Sequence, residues 1–366
     1  MSNTRLLELD ALSKRELKEK ALNHKLVFKN QLGLSDEIKF GIEIEALGKS
    51  FLYHLKKNNS VLFYPDPGSE PDNVYELNKW IVNKENSLRT DNNKSIYSSV
   101  ITNYEFMRYG GILDDDFIDN ILSNGGEVVS PILSDDNMCW DGLKKIIDYM
   151  KNNVPDLHIN STCSTHNHFD VGILNNSPEK LYSFMVLLAE TEAVLTRFFC
   201  GDYINLRESA NSWAKPFNSF FYHNYSKNLD LSSYKKLLTN LYSASDCSQK
   251  AYSFDFYNLY SCLDSRSTTF ENRLPNGTLS PEIMQNNIML MGFLLEYIAF
   301  NDYDYEKGFR NILCNNISAE INDDLAFYVA DFLPNDDLKL DFLCQYYKDE
   351  KTTSSKRLVM STKKLY

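Results

Sequence analysis

Two glutamates spaced two residues apart mark the first candidate site. Residues 38–45 alternate, so that the apolar side chains point to one face of a strand and Glu43 and Glu45 point to the other. A rise of about 3.3 Å per residue places the two carboxylates roughly 6–7 Å apart. They repel each other unless a cation lies close, and Mg²⁺ prefers carboxylate oxygen. The alternative interpretation is a solvated strand face.

Three further segments carry polar residues in strand-like surroundings. Glu127 opens an apolar run, His166 and His168 share one strand face, and Glu271 shares a face with Arg273. Each of these alone has an ordinary explanation, because exposed cross-strand pairs contribute little to stability. Together with the strand that carries Glu43, these segments predict a polar sheet face that is either exposed to solvent or forms a functional site.

Helices and strands must position these residues. Ser-Pro pairs at 177–178 and 280–281 predict the starts of two long helices, and residues 254–263 and 267–275 are predicted as strands. The elements intermix without regular βαβ alternation. This pattern predicts an α+β fold, with an antiparallel or mixed sheet that forms a concave site and is flanked by helices.

Three regions are expected along the chain. Residues 1–36 are predicted as an amphipathic helical arm, and residues 37–305 as the catalytic domain, with a polar insertion at about 90–124. Residues 306–366 are predicted as a helical extension with a basic tail.

Composition narrows the class of protein. The chain has 366 residues and a formal net charge of −12, which argues against general nucleic-acid binding. Its seven cysteines include no C-x-x-C pair, and its first twenty residues are charged throughout, which favours a reduced, cytoplasmic protein without a signal peptide. The apolar runs near 181–200 and 288–300 contain polar residues and are predicted as buried helices rather than membrane spans.

The order of the polar segments is more specific than any one of them. The segments are 40–45 (FGIEIE), 80–87 (WIVNKENS), 127–133 (EVVSPIL), 163–168 (CSTHNH) and 270–279 (FENRLPNGTL). This set, over residues 38 to 300, resembles the amidoligase family, which is similar to the carboxylate–amine ligases of the glutamate–cysteine ligase and glutamine synthetase superfamily. Two segments depart from the family pattern, at Glu85-Asn86-Ser87 and at Ser164-Thr165.

The resemblance implies a glutamine synthetase-like fold and an ATP- and Mg²⁺-dependent ligase that forms an amide bond through an acyl phosphate. Glu43, Glu45 and Glu271 are the expected metal ligands, because carboxylate oxygens suit Mg²⁺. The residues expected to bind ATP are Arg207, Lys215 and Arg273, whose cationic groups suit phosphate oxygens. The residues expected to act in catalysis are Glu127, His166, His168, Arg207 and Arg273, with the role of each histidine left open.

Two other functions stay open at this point. The H-x-H segment could bind Zn²⁺ or Fe²⁺ in a hydrolase or oxygenase, although the glutamates outnumber the histidines and so favour Mg²⁺. The chain could also be a non-catalytic interaction protein that keeps the ligase fold. The expected partners are a small molecule or peptide with a carboxylate, an amine co-substrate and a second copy of the chain bound through the N-terminal arm, with no nucleic acid and no membrane.

Overall fold

An antiparallel sheet flanked by helices confirms the predicted α+β class. The structure is a computed structural model, and it describes residues 3–57, 80–83, 85, 87–89, 123–201, 214–218, 229–243, 252–261, 269–314 and 321–347. The helices are α1 (Asn3–Asn23), α2 (Phe51–Lys57), α3 (Asn137–Asn153), α4 (Pro178–Cys200), α5 (Tyr234–Ser243), α6 (Tyr257–Ser261), α7 (Pro281–Phe300), α8 (Tyr305–Cys314), α9 (Asp323–Ala330) and α10 (Asp336–Tyr346). The strands are β1 (Phe40–Leu47), β2 (Ile81–Asn83), β3 (Gly125–Val129), β4 (Thr165–Asp170), β5 (Phe254–Asp255) and β6 (Thr269–Asn272).

The six strands form one sheet in the order β2-β3-β1-β4-β6-β5, and each strand pairs with its neighbours antiparallel. The E-x-E strand, β1, therefore lies between β3, which carries Glu127, and β4, which carries both histidines. The strand with Glu271, β6, is on the other side of β4. This order brings all four polar segments into adjacent positions.

One face of the sheet is apolar and packs against helices. Ile42 and Ile44 on β1 are fully buried. Trp140 of α3 stacks on Phe40 with ring centroids 5.3 Å apart. Phe184 of α4 packs edge-on against Phe270 of β6 at 5.1 Å. Because strand side chains alternate, the charged residues of the same strands must occupy the opposite face.

Ser-Pro pairs begin the two long helices, as the sequence predicts. Ser177 Oγ accepts a hydrogen bond from Lys180 N, and Pro178 is the first residue of α4. Ser280 Oγ accepts from Ile283 N at the start of α7 in the same way. Proline suits this position because the first helical N–H has no partner within the helix.

Helix α7 is a core helix of this fold. It is long and apolar enough to cross a membrane by length and composition, but 78% of its most apolar window is buried inside the protein. Helix α4, which follows the other long apolar run, is also buried along most of its length. The interpretation of both runs as buried helices is confirmed.

The predicted strand at 254–263 is wrong over most of its length. Strand β5 covers only Phe254–Asp255, and the helix α6 follows at once. Asp255 ends the strand because its Oδ1 accepts a hydrogen bond from Tyr257 N at the start of that helix. Most of the predicted insertion at 90–124 lies outside the described residues.

The N-terminal arm packs on its own chain, against α10. His24 Nε2 lies 2.7 Å from Asp341 Oδ1, and Lys29 Nζ pairs with the other oxygen of the same carboxylate. Lys18 Nζ lies 3.0 Å from Asp323 at the start of α9. The proposed contact of the arm with a second copy of the chain stays a prediction.

Candidate functional site

The polar face of the sheet gathers the charged residues of four strands. The register places Glu45 opposite Glu127, Glu43 opposite His166, and His168 opposite Glu271. Directly opposed residues in an antiparallel pair share a face. The shared face expected from the sequence is therefore present in the structure.

His166 lies at the centre of this face, between two carboxylates. Its Nδ1 lies 3.2 Å from Glu43 Oε2 and 3.1 Å from Glu271 Oε1. The neighbouring His168 places Nε2 2.9 Å from the other oxygen of Glu43. Glu43 thus joins both histidines, and Glu271 joins His166 to Arg273, whose guanidinium lies 2.5 Å from Glu271 Oε1.

Burial and ion pairing shift the pKa values of these groups in opposite directions. Burial alone would raise the pKa of Glu271, but the hydrogen bond and charge of His166 and the charge of Arg273 lower it to about 2. Burial also opposes charge on His166, yet Glu271 and Glu43 raise its pKa to about 9. Burial alone would raise the pKa of Glu43, but the hydrogen bonds and the charges of His166 and His168 together lower it well below its usual value.

Glu127 differs from the other glutamates of the site. Burial, and then the charge of Glu43, raises its pKa to about 8. It faces Glu45 across the β1–β3 pair, and the charges of Glu45 and Glu85 act in the same direction. A carboxyl group that titrates near neutral pH is suited to accept and return a proton.

Ser164 links Glu45 to the centre of the site, and sequence reasoning missed this role. Its backbone N–H and its hydroxyl both donate to Glu45 Oε2 at 2.6 Å. The same hydroxyl oxygen lies 2.7 Å from His166 Nε2. In the sequence, Ser164 is only a departure from the family pattern, and the E-x-E spacing gives no sign of a serine partner 119 residues away.

Asp255 is a second residue that sequence reasoning missed. It lies opposite Glu271 in the β5–β6 pair and is 3% exposed, so it adds a further carboxylate to the polar face. The alternation Phe254-Asp255-Phe256 was a usable signal, because two buried aromatic residues flank a residue that must point to the other side.

Of the other predicted cationic residues, Lys215 is not brought to this centre. Lys215 is exposed and forms a parallel bridge with Tyr252, which puts it on the strand face opposite that of Ser253 and Arg273. Arg207 lies outside the described residues. Of the three cationic residues predicted to bind the phosphates of ATP, Arg273 is therefore the one that the described structure places at the site.

The donor set fits a divalent cation. Glu43, His166 and Glu271 each offer one ligand atom, and these atoms lie within 4.8 Å of one another. Two carboxylate oxygens and one imidazole nitrogen suit Mg²⁺ or Mn²⁺. Only His166 of the H-x-H pair belongs to this group, while His168 pairs with Glu43, which disfavours a two-histidine Zn²⁺ or Fe²⁺ centre.

Comparisons with known proteins bear on this arrangement. No curated protein matches the chain. Among solved structures, the one described as "Apo GmaS without ligand" aligns with a TM-score of 0.36 and 11% identity, covering 94% of this chain and 75% of that chain. The family model described as "Putative amidoligase enzyme" matches residues 36–294, which include every strand of the sheet. The chain therefore belongs to the amidoligase family.

Proposed function

We propose that this protein is an ATP- and Mg²⁺-dependent carboxylate–amine ligase that works through an acyl phosphate. The amidoligase family supports an enzyme that forms amide bonds. The single observation that carries the finer proposal is the polar face, where Glu43, His166 and Glu271 meet beside Arg273. Phosphoryl transfer asks a protein chiefly for positioning and for neutralisation of charge, and this face offers both.

The residues divide into binding and proton-handling groups. Glu43, His166 and Glu271 would hold Mg²⁺, which when bound neutralises phosphate charge. Arg273, whose guanidinium lies beside Glu271, would bind a phosphate oxygen. We assign Glu127 as the base, because a pKa of about 8 lets its carboxylate take the proton of the attacking amine.

The proposed reaction consists of a phosphoryl transfer followed by an acyl transfer. The substrate carboxylate attacks the γ-phosphorus of ATP, and ADP leaves. The amine then attacks the carbonyl carbon of the acyl phosphate, loses its proton to Glu127, and inorganic phosphate leaves. His168 and Ser164 keep the centre in place, since they hold Glu43 and Glu45 respectively.

The substrates and the cellular location of the protein are part of the same proposal. The acid is a small molecule or a peptide, and the second substrate is a primary amine. We place the protein in the cytoplasm, and this is supported by Cys139, Cys163, Cys200 and Cys344, which form no disulfide bonds among the described residues.

Hydroxylamine offers a direct test, because it replaces an unknown amine and traps an acyl phosphate as a hydroxamate. The purified chain is incubated with Mg²⁺, ATP, hydroxylamine and a mixture of the twenty amino acids as carboxylate donors. We expect hydroxamate and ADP in equal amounts, and a loss of about 100-fold or more in Glu271→Gln and Arg273→Ala. Asp141→Asn, at an exposed position of α3, is the control and keeps full activity.

Two results would contradict the proposal. One is ADP formation that does not depend on the carboxylate mixture. The other is the absence of binding of a non-hydrolysable ATP analogue with Mg²⁺. Stoichiometric zinc or iron in the purified protein would instead favour the metallohydrolase or oxygenase alternative.

A further inference from the structure

A buried carboxylate on α4 takes no part in the proposed reaction. Glu192 is 1% exposed, and three donors from two separate segments bind it. Its Oε1 accepts from Phe217 N at 2.6 Å and from Ser253 Oγ at 2.5 Å, and its Oε2 accepts from Asn218 N at 2.8 Å. Burial raises its pKa to about 7 in spite of these hydrogen bonds. A buried carboxylate is costly, so its position calls for an explanation.

Ser253 connects this carboxylate to Arg273. The carbonyl oxygen of Ser253 accepts a hydrogen bond from Arg273 N at 2.9 Å. On its other side, Ser253 N donates to Lys215 O at 2.8 Å. Ser253 directly precedes β5. Because Phe254 lies opposite Asn272 in the antiparallel β5–β6 pair, the same register places Ser253 opposite Arg273. One residue therefore separates Glu192 from the backbone of the arginine at the site.

Helix α4 carries a second buried carboxylate that serves as a natural comparison. Glu190 is 7% exposed, and its partners are Tyr303 and Asn311, which lie C-terminal to the family-matched region. Two residues on a helix turn the side chain by about 200°, so Glu190 and Glu192 point in nearly opposite directions. Glu190 contacts none of the residues of the polar face among those described.

We propose that Glu192 is a positioning residue that fixes Arg273 for the phosphate of ATP, acting through Ser253. The inference rests on the proposed function. Loss of the carboxylate would leave two buried backbone N–H groups without an acceptor and would release the Ser253 side chain. The edge of the sheet would then shift, and with it the guanidinium that lies 2.5 Å from Glu271. Small misplacements of a phosphate-binding group weaken binding strongly.

A double-mutant cycle tests this path. The dissociation constant of the ATP analogue AMP-PNP is measured with Mg²⁺ by calorimetry for wild type, Glu192→Gln, Arg273→Ala and the double variant. Each single variant is expected to bind about tenfold more weakly. The double variant is expected to bind no more weakly than Arg273→Ala alone, because Glu192 acts through that arginine. Glu190→Gln is the matched control and binds within about twofold of wild type.

A structural role alone would give different results. Additive losses in the double variant would overturn the proposal, as would unchanged binding in Glu192→Gln or an equal loss in Glu190→Gln. If Glu192→Gln does not fold, Ser253→Ala takes its place in the cycle, since it removes one hydrogen bond to the carboxylate and keeps the other two. Absence of AMP-PNP binding in wild type would reject the proposed function, and the present inference with it.

Discussion

The charge state of His166 follows from its three neighbours. The Ser164 hydroxyl has one proton, which it donates to Glu45 at 2.6 Å, so its oxygen accepts from His166 Nε2 at 2.7 Å. The other ring nitrogen faces Glu43 and Glu271 and donates as well. Both nitrogens therefore carry protons in the metal-free protein, and the ring is an imidazolium.

We expect His166 in the metal-free protein to titrate with a pKa of about 9, which NMR of the imidazole ring would show. Glu271→Gln should lower this pKa, because it removes the carboxylate that contributes most to the shift. Addition of Mg²⁺ or Mn²⁺ should also lower it, since a bound metal needs an unprotonated nitrogen. A wild-type titration near 6.5 would contradict the assigned contacts.

The two glutamates of the E-x-E strand should differ in metal binding. Glu43 belongs to the metal-binding group, whereas one oxygen of Glu45 is held by the backbone and hydroxyl of Ser164. We expect Glu43→Gln to weaken Mn²⁺ binding by about 100-fold or more and Glu45→Gln by about tenfold, measured by calorimetry. Equal losses would place Glu45 among the ligands, as the sequence suggested.

Residue types and spacing were sufficient to select most of the residues that lie on the polar face. Alternation along each strand showed which glutamates and histidines share a face. It could not show which of them touch, because contacts across strands depend on register, and register depends on the pairing of distant segments. The Ser164–Glu45 bond joins residues 119 apart in sequence, so no local pattern reports it.

At the level of elements, the close packing of β3 constrains Glu127. Gly126 precedes Glu127, and a Cβ added there would lie 2.8 Å from Asn83 O and 2.9 Å from Phe51. The carbonyl belongs to the paired strand β2 and cannot move freely. Glycine therefore lets β2 and α2 approach the strand that carries the proposed base.

Gly126→Ala should reduce the free energy of unfolding by about 1–3 kcal/mol, because the strand must shift to admit the methyl group. Urea unfolding would measure the change. Gly142→Ala, on α3, is the control: nothing lies within 4 Å of the added Cβ, so this variant should be neutral or more stable by about 0.5–1 kcal/mol. A neutral Gly126→Ala would show that β2 is not held where the structure places it.

Element boundaries were predictable where local chemistry sets them. The Ser-Pro pairs predict the starts of α4 and α7 without any tertiary contact, because the capping hydrogen bond is local. Strand β5 was predicted too long, because the apolar and aromatic residues that follow Asp255 are compatible with either a strand or a helix. The hydrogen bond from Tyr257 N to Asp255 ends the strand, and the helix α6 that follows packs on α5, where Tyr260 stacks on Tyr242 with ring centroids 5.2 Å apart.

Over the whole molecule, Glu192 should make stability depend on pH. Its folded-state pKa of about 7 lies above the usual value of 4.5, so the folded state holds more protons between these two pH values. The unfolding free energy should therefore fall as pH rises through this range, by about 3 kcal/mol for this group. When urea unfolding is measured from pH 4.5 to 8, the unfolding free energy of Glu192→Gln should fall less than that of wild type, because the variant lacks the titrating carboxylate. Parallel curves of unfolding free energy against pH for the two proteins would refute the prediction.

The contact between the two ends of the described chain should also contribute to stability. Asp341 is 5% exposed and binds both His24 and Lys29. Asp341→Asn should lower the unfolding free energy by about 3 kcal/mol, since it leaves Lys29 without its partner at a partly buried site. The exposed Arg15–Glu19 pair is the control, and Glu19→Gln should leave the melting temperature unchanged. Equal melting temperatures for both variants would mean that the contact of Asp341 with His24 and Lys29 adds no stability.

The same contact affects how the protein can form during synthesis. Helix α1 leaves the ribosome well before α10, because the carboxylate that holds the segment after α1 lies more than 300 residues later, on α10. The arm cannot dock until α10 has been synthesised, because the chain is made from the N-terminus onward. Closure of the arm on α10 therefore has to follow the synthesis of α10 and cannot help to fold the segments made before it.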